Sequence, residues 1–344
     1  MNAQAQTTRQ YQLRKTGDAP PSLTKVEAPV RAPARNEVLV RVHAVSLNRR
    51  DIYVKHGRYP GAMPPNLVPL SDGAGEVVAV GAGVTRFRPG DRVASIFFQL
   101  WLDGRPKPDF LASALGGAVS GMLSQLVTLS ENGLVALPRH LSYEEAATLP
   151  CAGVTAWNSL VTRGRIQPGD HVLLQGTGGV SILGLQLALA MGAKPIITSS
   201  SDEKLARAKQ LGAFATINYR STPEWEKAVL AATGGVGVQQ ALEVGGKQTL
   251  GKTLASLAPG GHVALIGGLT EFGGDIPSYA LMGRNATASG IYVGSRADFE
   301  ALNAFLDGHR FKPIIDKVFA FEDAPAAYDY MDSGALFGKV VIRL

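Results

Sequence analysis

The residues best placed to do chemistry start at Gly176, where Gly176-Thr177-Gly178-Gly179-Val180-Ser181 ends one apolar run and opens another. The run before it, His171 to Gln175, has the length and character of a buried parallel strand. Ile182 to Met191 is apolar nearly all round, as a buried helix is. Gly176 permits a tight turn and Gly178 lets backbone approach a pyrophosphate. Ser181 takes the third fingerprint position, where a small residue lets the helix pack on the strand. The N–H groups and positive dipole end of that helix would receive phosphates. Such a turn alone also fits a plain α/β connection. Its place in a βαβ unit, with a strand at 194–200 and a helix from Asp202 to Leu211 ended by Gly212, points to a nucleotide cofactor.

The end of the second strand selects between cofactors, because an Asp or Glu there binds a ribose 2′-hydroxyl and repels a 2′-phosphate. Thr198-Ser199-Ser200-Ser201 stands there instead, followed by Lys204 and Arg207. Hydroxyls, a helix N-terminus and a cation make a 2′-phosphate pocket, which favours NADPH over NADH. Ser200 also reads as an N-cap, with Glu203 completing a capping box, and Asp202 weighs against the phosphate; the readings can hold together.

The elements that must carry this turn follow from the pattern of the chain. From about 141 the rhythm is βα: a helix from Tyr143, then strands at 171–175, 194–200, 214–219, 238–244, 262–267 and 286–293, enough for a doubly wound parallel six-stranded sheet of Rossmann type. Residues 1–140 are β-rich. Glu37 to Val45 alternates like a half-buried antiparallel strand, with His43 read as structural. Ser46 to Tyr53 and His56 to Pro60 read as a polar and aromatic loop. The Pro-Gly pairs at 89–90, 168–169 and 259–260 each precede a strand. Between 97 and 122, Phe97, Phe98, Trp101 and Phe110 either line an apolar pocket or pack under a long loop. A helix from Arg296 to Asp307 leads to a last strand at 339–344. The domains expected are 1–140, completed by 294–344, for substrate and catalysis, and 141–293 for the nucleotide.

The 344 residues, 45% hydrophobic and 18% charged, suffice for two cores. One cysteine excludes a disulfide framework and a four-cysteine metal site, and suits a reducing cytoplasm. Met1 to Gln10 is too polar for a signal peptide, and no stretch is apolar for the length of a membrane span, so a soluble cytoplasmic protein is expected. The net charge of +6 is scattered, which reads as solvated surface that helps steer a polyanionic cofactor. No nucleic-acid motif is present, and nucleic acid is not an expected partner.

The order of motifs resembles the medium-chain dehydrogenase/reductase superfamily over essentially the full length, especially its quinone-reductase-like and alcohol-dehydrogenase-like members. The resemblance rests on Asn48-x-x-Asp51, Gly73-Ala-Gly75-x-Val77, Pro89-Gly90-Asp91-x-Val93, Leu149-Pro-Cys151-Ala-Gly153-x-Thr155-Ala156, Gly176-Thr-Gly178-Gly179-Val180, Glu243-Val-Gly-Gly246 and Gly338-Lys339-Val340-Val341. It implies a GroES-like substrate domain, a Rossmann domain and commonly a homodimer. Zinc-dependent members hold a catalytic metal through Cys, His and Cys. Here Asn48 replaces the first cysteine, Leu70-Ser71-Asp72 replaces Gly-His-Glu, and Cys151 alone remains, so no metal is expected and Cys151 reads as a buried remnant, its alternative being a thiol that faces the nicotinamide.

Without a Lewis acid, charge developing on an acceptor oxygen must meet hydrogen-bond or proton donors, which favours quinones and α,β-unsaturated carbonyls as hydride acceptors. The resemblance puts Asn48 near the nicotinamide, as a holder of the carbonyl oxygen, and makes Tyr59 in Gly57-Arg-Tyr59-Pro60 similar to the proposed proton donor of enoyl reductases. Capping a turn and packing at a loop edge are their structural alternatives. Asp51 reads as structural. The resemblance also implies Thr155, Gly267-Gly268-Leu269 and Ile291-Tyr292-Val293 around the nicotinamide, with Asn218-Tyr219-Arg220 near the adenosine. The activity expected is reduction, with NADPH, of a small hydrophobic quinone or enone. The alternatives are a metal-free alcohol dehydrogenase or aldehyde reductase, and a non-enzymatic NADPH- or RNA-binding protein.

Overall fold

The computed structural model describes all residues except 1–5, 16, 18, 19, 62, 272 and 274, so the signal-peptide reading at Met1 to Gln10 lies partly outside the described residues. The chain forms two compact units, Met1–Ala152 with Gly294–Leu344, and Gly153–Val293.

The first unit is built on a seven-stranded sheet. Its path runs Ile315–Ala320, Lys339–Arg343, Glu37–Leu47, Asp72–Val80, Arg92–Ser95, Leu134–Ala136, and Leu126–Ser130 pairs beside it with Glu37–Leu47. Glu37–Leu47 shows the expected half-buried alternation from Val40 to Ala44, with Arg41 exposed and His43 half-buried, but not at its two ends. Val38, Leu39, Val40, Ala44, Val45 and Leu47 are all buried, because this strand pairs with three others and carries helix Tyr143–Ala147 on its face. That packing places residues 141–152 in the first unit, whereas the sequence pattern assigns them to the nucleotide domain. The helix starts at a capping box, Ser142 with Glu145, and buries Ala146 and Ala147.

Gly75 explains one motif directly. A Cβ there would lie 2.1 Å from the Arg41 carbonyl oxygen on the neighbouring strand, so any side chain would force the pair apart. The aromatics of 97–122 pack on one another: Phe97 on Phe98 at 4.6 Å, Phe98 on Phe110 at 4.8 Å, and Trp101 on Phe110 at 5.5 Å between centroids. Trp101 Nε1 donates to the Gly104 carbonyl at 3.0 Å.

The second unit holds a parallel six-stranded sheet in the order Ala215–Asn218, Lys194–Ser199, His171–Gln175, Val238–Glu243, Leu257–Leu265, Thr287–Gly290. Counted along the chain this is 3-2-1-4-5-6, the doubly wound Rossmann order, with its switch point between His171–Gln175 and Val238–Glu243. The strand expected at 262–267 starts at Leu257. Pro259-Gly260 therefore lies inside it, at an irregularity in its register with Val238–Glu243, and not before it. In all three Pro-Gly pairs the glycine is left-handed, at φ 94, 90 and 74 for Gly90, Gly169 and Gly260.

Candidate active site

Asn48 ends the central strand of the first unit, and the segment after it is a helix, Arg49–Lys55, where a loop was expected. Asn48 is its N-cap, extended at φ −126 and ψ 159, and its backbone N–H donates to Asp51 Oδ2 at 2.7 Å. An acid in the first turn and Lys55 in the last suit the helix dipole. Asn48 and Asp51 form a capping box at this helix start, and the Asn48 side chain is engaged on its other side as well. Its Oδ1 accepts from the Lys339 ammonium at 2.5 Å, while Nδ2 is buried with no hydrogen-bond partner among the described residues.

Lys339 is 2% exposed and begins the last strand, one residue before Val340, which pairs with Leu47 in the sheet. Its ammonium also donates to the Leu47 carbonyl at 2.7 Å and lies 3.6 Å from Asp72 Oδ2. Asp72 is fully buried and accepts from Ser71 Oγ at 2.7 Å, from Ser46 Oγ at 3.4 Å and from the Cys151 backbone N–H at 3.3 Å. Leu70, just before it, is left-handed at φ 68, a costly conformation for a leucine, held where Gly116 and Gly121 leave no room beside its backbone.

Arg50 links Asn48's helix to Tyr59. Its guanidinium lies 4.8 Å from the Tyr59 ring centroid and 4.6 Å from that of Phe97, and Nη1 donates to the Leu115 carbonyl at 2.8 Å. Gly117 makes the space, since a Cβ there would sit 2.3 Å from Arg50 Nη2. Tyr59 itself is half-buried against the small cluster of Leu13, Val54 and Leu67. Its packing role is therefore present in the structure.

Asp51 is wholly buried, and this desolvation raises its carboxyl from 3.8 to about 6, against the pull of Arg50 and of the Asn48 N–H. A folded-state value above the unfolded one means that the folded protein holds an extra proton between about pH 4 and 6, so this group's contribution to stability falls as pH rises through that window. His43, His171 and His262, all lowered chiefly by burial, act in the opposite direction. The comparison that isolates Asp51 is between wild type and Asp51→Asn. The variant's urea midpoint is expected to gain on the wild type's between about pH 4 and 6; parallel midpoints would refute this.

In the second unit, Gly176 is left-handed at φ 69 and Gly178 N-caps helix Gly179–Ala190 without a side-chain cap. A Cβ on either glycine would meet nothing within 4 Å, so the space in front of the turn is open. Ser181 Oγ donates to the Gln175 carbonyl at 2.6 Å, tying the helix to the strand that feeds it. Thr177 and Val180 complete the turn, Thr177 buried and Val180 half-buried.

Ser199 ends the second strand, and the N-cap of helix Asp202–Gln210 is Ser201, not Ser200: its Oγ accepts from the Lys204 N–H at 3.3 Å. Ser199 Oγ accepts from the Ser201 N–H, so the turn holds one residue more than the sequence reading allowed. Asp202 is bonded to Asn218 Nδ2 at 2.7 Å, and Tyr219, 42% exposed, follows on the third strand's end. Gly267, Gly268 and Leu269 follow the fifth strand. Ile291, Tyr292 and Val293 follow the sixth, Val293 left-handed at φ 58 with its carbonyl accepting from Asn158 Nδ2. Thr155 is buried in helix Val154–Trp157. The structure thus gathers the cofactor candidates in one unit and both catalytic candidates in the other.

Two groups were quoted from the sequence only as parts of motifs, with no role given. Lys339 carried a signal, a charge at the head of the apolar run Val340-Val-Ile342, but no reason to ascribe it a role. Glu243 is the other. It is 1% exposed and accepts from Gln175 Nε2, Thr249 Oγ1, Thr253 Oγ1 and the N–H groups of Gly245 and Gly246, fixing the loop after the fourth strand.

Comparison with known proteins decides what kind of chain this is. Residues 34–139 match the alcohol dehydrogenase GroES-like domain and residues 179–308 the zinc-binding dehydrogenase domain. The chain is 45% identical over 314 residues to a zinc-type alcohol dehydrogenase-like protein of Schizosaccharomyces pombe, covering 90% of this chain and 91% of that one. It belongs to the medium-chain dehydrogenase/reductase superfamily. A putative alcohol dehydrogenase from Sinorhizobium meliloti 1021 superposes with a TM-score of 0.93 at 43% identity, covering 99% of this chain and all of that one. A quinone oxidoreductase from Pseudomonas syringae pv. Tomato DC3000 does so with a TM-score of 0.80 at 30% identity, covering 98% and 100%. As a member of this superfamily the protein is an oxidoreductase, with a GroES-like domain and a nucleotide-binding Rossmann domain.

Several such relatives are named for zinc or as alcohol dehydrogenases. In this medium-chain member no three His, Cys, Asp or Glu side chains among the described residues form a metal-ligand group. Asp72 Oδ2 lies 3.6 Å from the Lys339 ammonium and accepts from the backbone N–H of Cys151, whose side chain is half-buried. Among the described residues no helix is long and apolar enough to cross a membrane.

Proposed function

We propose that this medium-chain reductase uses NADPH to reduce a quinone or an α,β-unsaturated carbonyl without a metal. The observation that carries the proposal is the Asn48 amide: Oδ1 is held by Lys339, and Nδ2 is a buried donor with no acceptor among the described residues. An orphan donor in such a place costs stability unless a ligand oxygen satisfies it. Asn48 Nδ2–H donates to the carbonyl oxygen, and the bond strengthens as negative charge collects there. Acceptors that spread this charge by conjugation suit a site whose donor is a neutral amide.

NADPH, when bound, supplies the hydride. Gly176, Gly178 and the first N–H groups of helix Gly179–Ala190 hold its pyrophosphate in this reading. Ser199, Ser200 and Lys204 take the 2′-phosphate, and Thr155, Gly267, Gly268, Leu269, Ile291, Tyr292 and Val293 surround the nicotinamide. The open space before both glycines and the absence of a side-chain cap support the first assignment. The bond from Asn218 Nδ2 to Asp202 holds that carboxylate toward the third strand, one of two acids, with Glu203, in the first turn of this helix. Ser200→Asp is expected to shift preference toward NADH by about tenfold or more, since a like charge against a phosphate costs several kcal/mol. An unchanged ratio of kcat/KM for the two cofactors would displace the pocket.

Tyr59 is the proton donor in this scheme, with Arg50 fixing its ring. Tyr59→Phe keeps the packing against Leu13 and Val54 and is expected to lower turnover by about 10²-fold, as loss of a general acid does, while NADPH affinity is unchanged. Turnover within threefold of wild type would leave Tyr59 a packing residue.

The deciding experiment is NADPH consumption with a small enal, with no metal added, and identification of the product by NMR. A saturated aldehyde supports the proposal. An allylic alcohol would replace it with carbonyl reduction, the reading that the alcohol dehydrogenase names of its relatives favour.

A further inference from the structure

We propose that Lys339 is a positioning residue for this reaction, a fixed buried cation that commits the Asn48 Oδ1 and leaves Nδ2–H as a polarised donor. The geometry is contained in the first unit. One ammonium meets the Leu47 carbonyl at 2.7 Å, Asn48 Oδ1 at 2.5 Å and Asp72 Oδ2 at 3.6 Å, so each of its three N–H bonds has an oxygen to face.

An amide is a two-sided group whose halves differ only in chemistry, and a site that needs its donor must prevent the flip. A cation beside Oδ1 does so, because the flipped amide would turn its NH2 toward the ammonium. The same contact draws electron density toward Oδ1 and makes Nδ2–H a stronger donor, the more so in surroundings where water does not screen the charge.

Stability alone is a poor reason for this arrangement. A methionine fills nearly the volume of a lysine, and exchanging a buried ion pair for apolar groups is often neutral or stabilising. The positions also matter. Asn48, Ser71, Asp72 and Cys151 stand where the zinc-dependent relatives that the sequence resembles keep their metal-binding motifs, and between Asn48 and Asp72 the chain places its own positive charge. The donor set does not fit zinc: the Asp72 carboxylate faces the Lys339 ammonium, and the Asn48 amide oxygen accepts from the same ammonium.

The test uses the double variant Lys339→Met with Asp72→Asn, which removes both charges together and so leaves neither buried alone. The full-length protein is labelled with 15N-asparagine, and the Asn48 side-chain amide is identified as the pair of signals missing in Asn48→Asp. In wild type its two protons are expected to be well separated and slow to interconvert. In the double variant they move together toward the positions of a free asparagine. An amide pair unmoved by the double substitution overturns the proposal whatever the substrate is.

The kinetic arm rests on the reductase reading. With an enal that the wild type reduces, the double variant is expected to lose about ten- to hundredfold in kcat, less than the outright loss of an oxyanion donor, with KM and NADPH affinity little changed. A loss confined to KM, or none, also overturns it. If the wild type reduces no enal or quinone while the amide signals respond, the reductase reading fails and the positioning of Asn48 by Lys339 stands.

Discussion

Asn48→Asp is expected to lower kcat/KM for an enal by about 10²–10³, the usual cost of one oxyanion-type donor. The substitution is nearly isosteric. It keeps an oxygen for the Lys339 ammonium, so the buried cation is not orphaned, and it keeps the backbone N–H that donates to Asp51 at 2.7 Å. What it removes is the Nδ2–H donor, and in its place stands a carboxylate oxygen that repels a developing oxyanion. The fold and NADPH affinity should therefore survive while the chemical step fails. Asn48→Ala is the less informative partner, since it also deprives Lys339 of an acceptor and costs stability of about 1–3 kcal/mol. If Asn48→Asp retains turnover within threefold, the amide is only a helix cap and acceptor chemistry must be sought at Arg50 and Tyr59.

The readable and unreadable parts of this site divide along physical lines. The glycine turn and its six strands were legible because their signals are local: close glycines after an apolar run, and a period that repeats every βα unit. The helix Arg49–Lys55 was not, because two arginines and an aspartate in seven residues look like a loop until tertiary contacts bury Arg50 and Asp51. The Asn48–Lys339 bond joins residues 291 positions apart, and no local pattern reports it. Ser200 was mistaken for an N-cap because four hydroxyl-bearing residues in a row, 198–201, offer several equivalent caps; the register of strand Lys194–Ser199 selects Ser201. Tyr59 was legible only through resemblance, and nothing local in the sequence reports that the Arg50 guanidinium lies against its ring.

Glu243→Ala is expected to destabilise the second unit by about 3 kcal/mol, and the size follows from which partners are left behind. Thr249 and Thr253 can still donate to the carbonyls of Gly246 and Thr249, and Gln175 Nε2 keeps Thr253 Oγ1 at 2.6 Å. The Gly245 N–H keeps Gln175 Oε1 at 3.1 Å. The Gly246 N–H donates to Glu243 at 2.8 Å and has no other acceptor among the described residues, and a cavity replaces the carboxylate. Gly246 is left-handed, with Glu271 and Gly268 against it, so the loop cannot turn that N–H elsewhere without a backbone clash. Glu243→Gln leaves an oxygen for the two glycine amides and is expected to cost only about 1 kcal/mol. Because this loop follows the fourth strand at the switch point, where doubly wound sheets bind ligands, the alanine variant should also bind NADPH more weakly at temperatures where it is still folded. Urea unfolding and NADPH titration of both variants separate the effects. An alanine variant within 0.5 kcal/mol, roughly the scatter of a neutral surface substitution, would mean that solvent satisfies Gly246 and that the carboxylate is not the anchor of this loop.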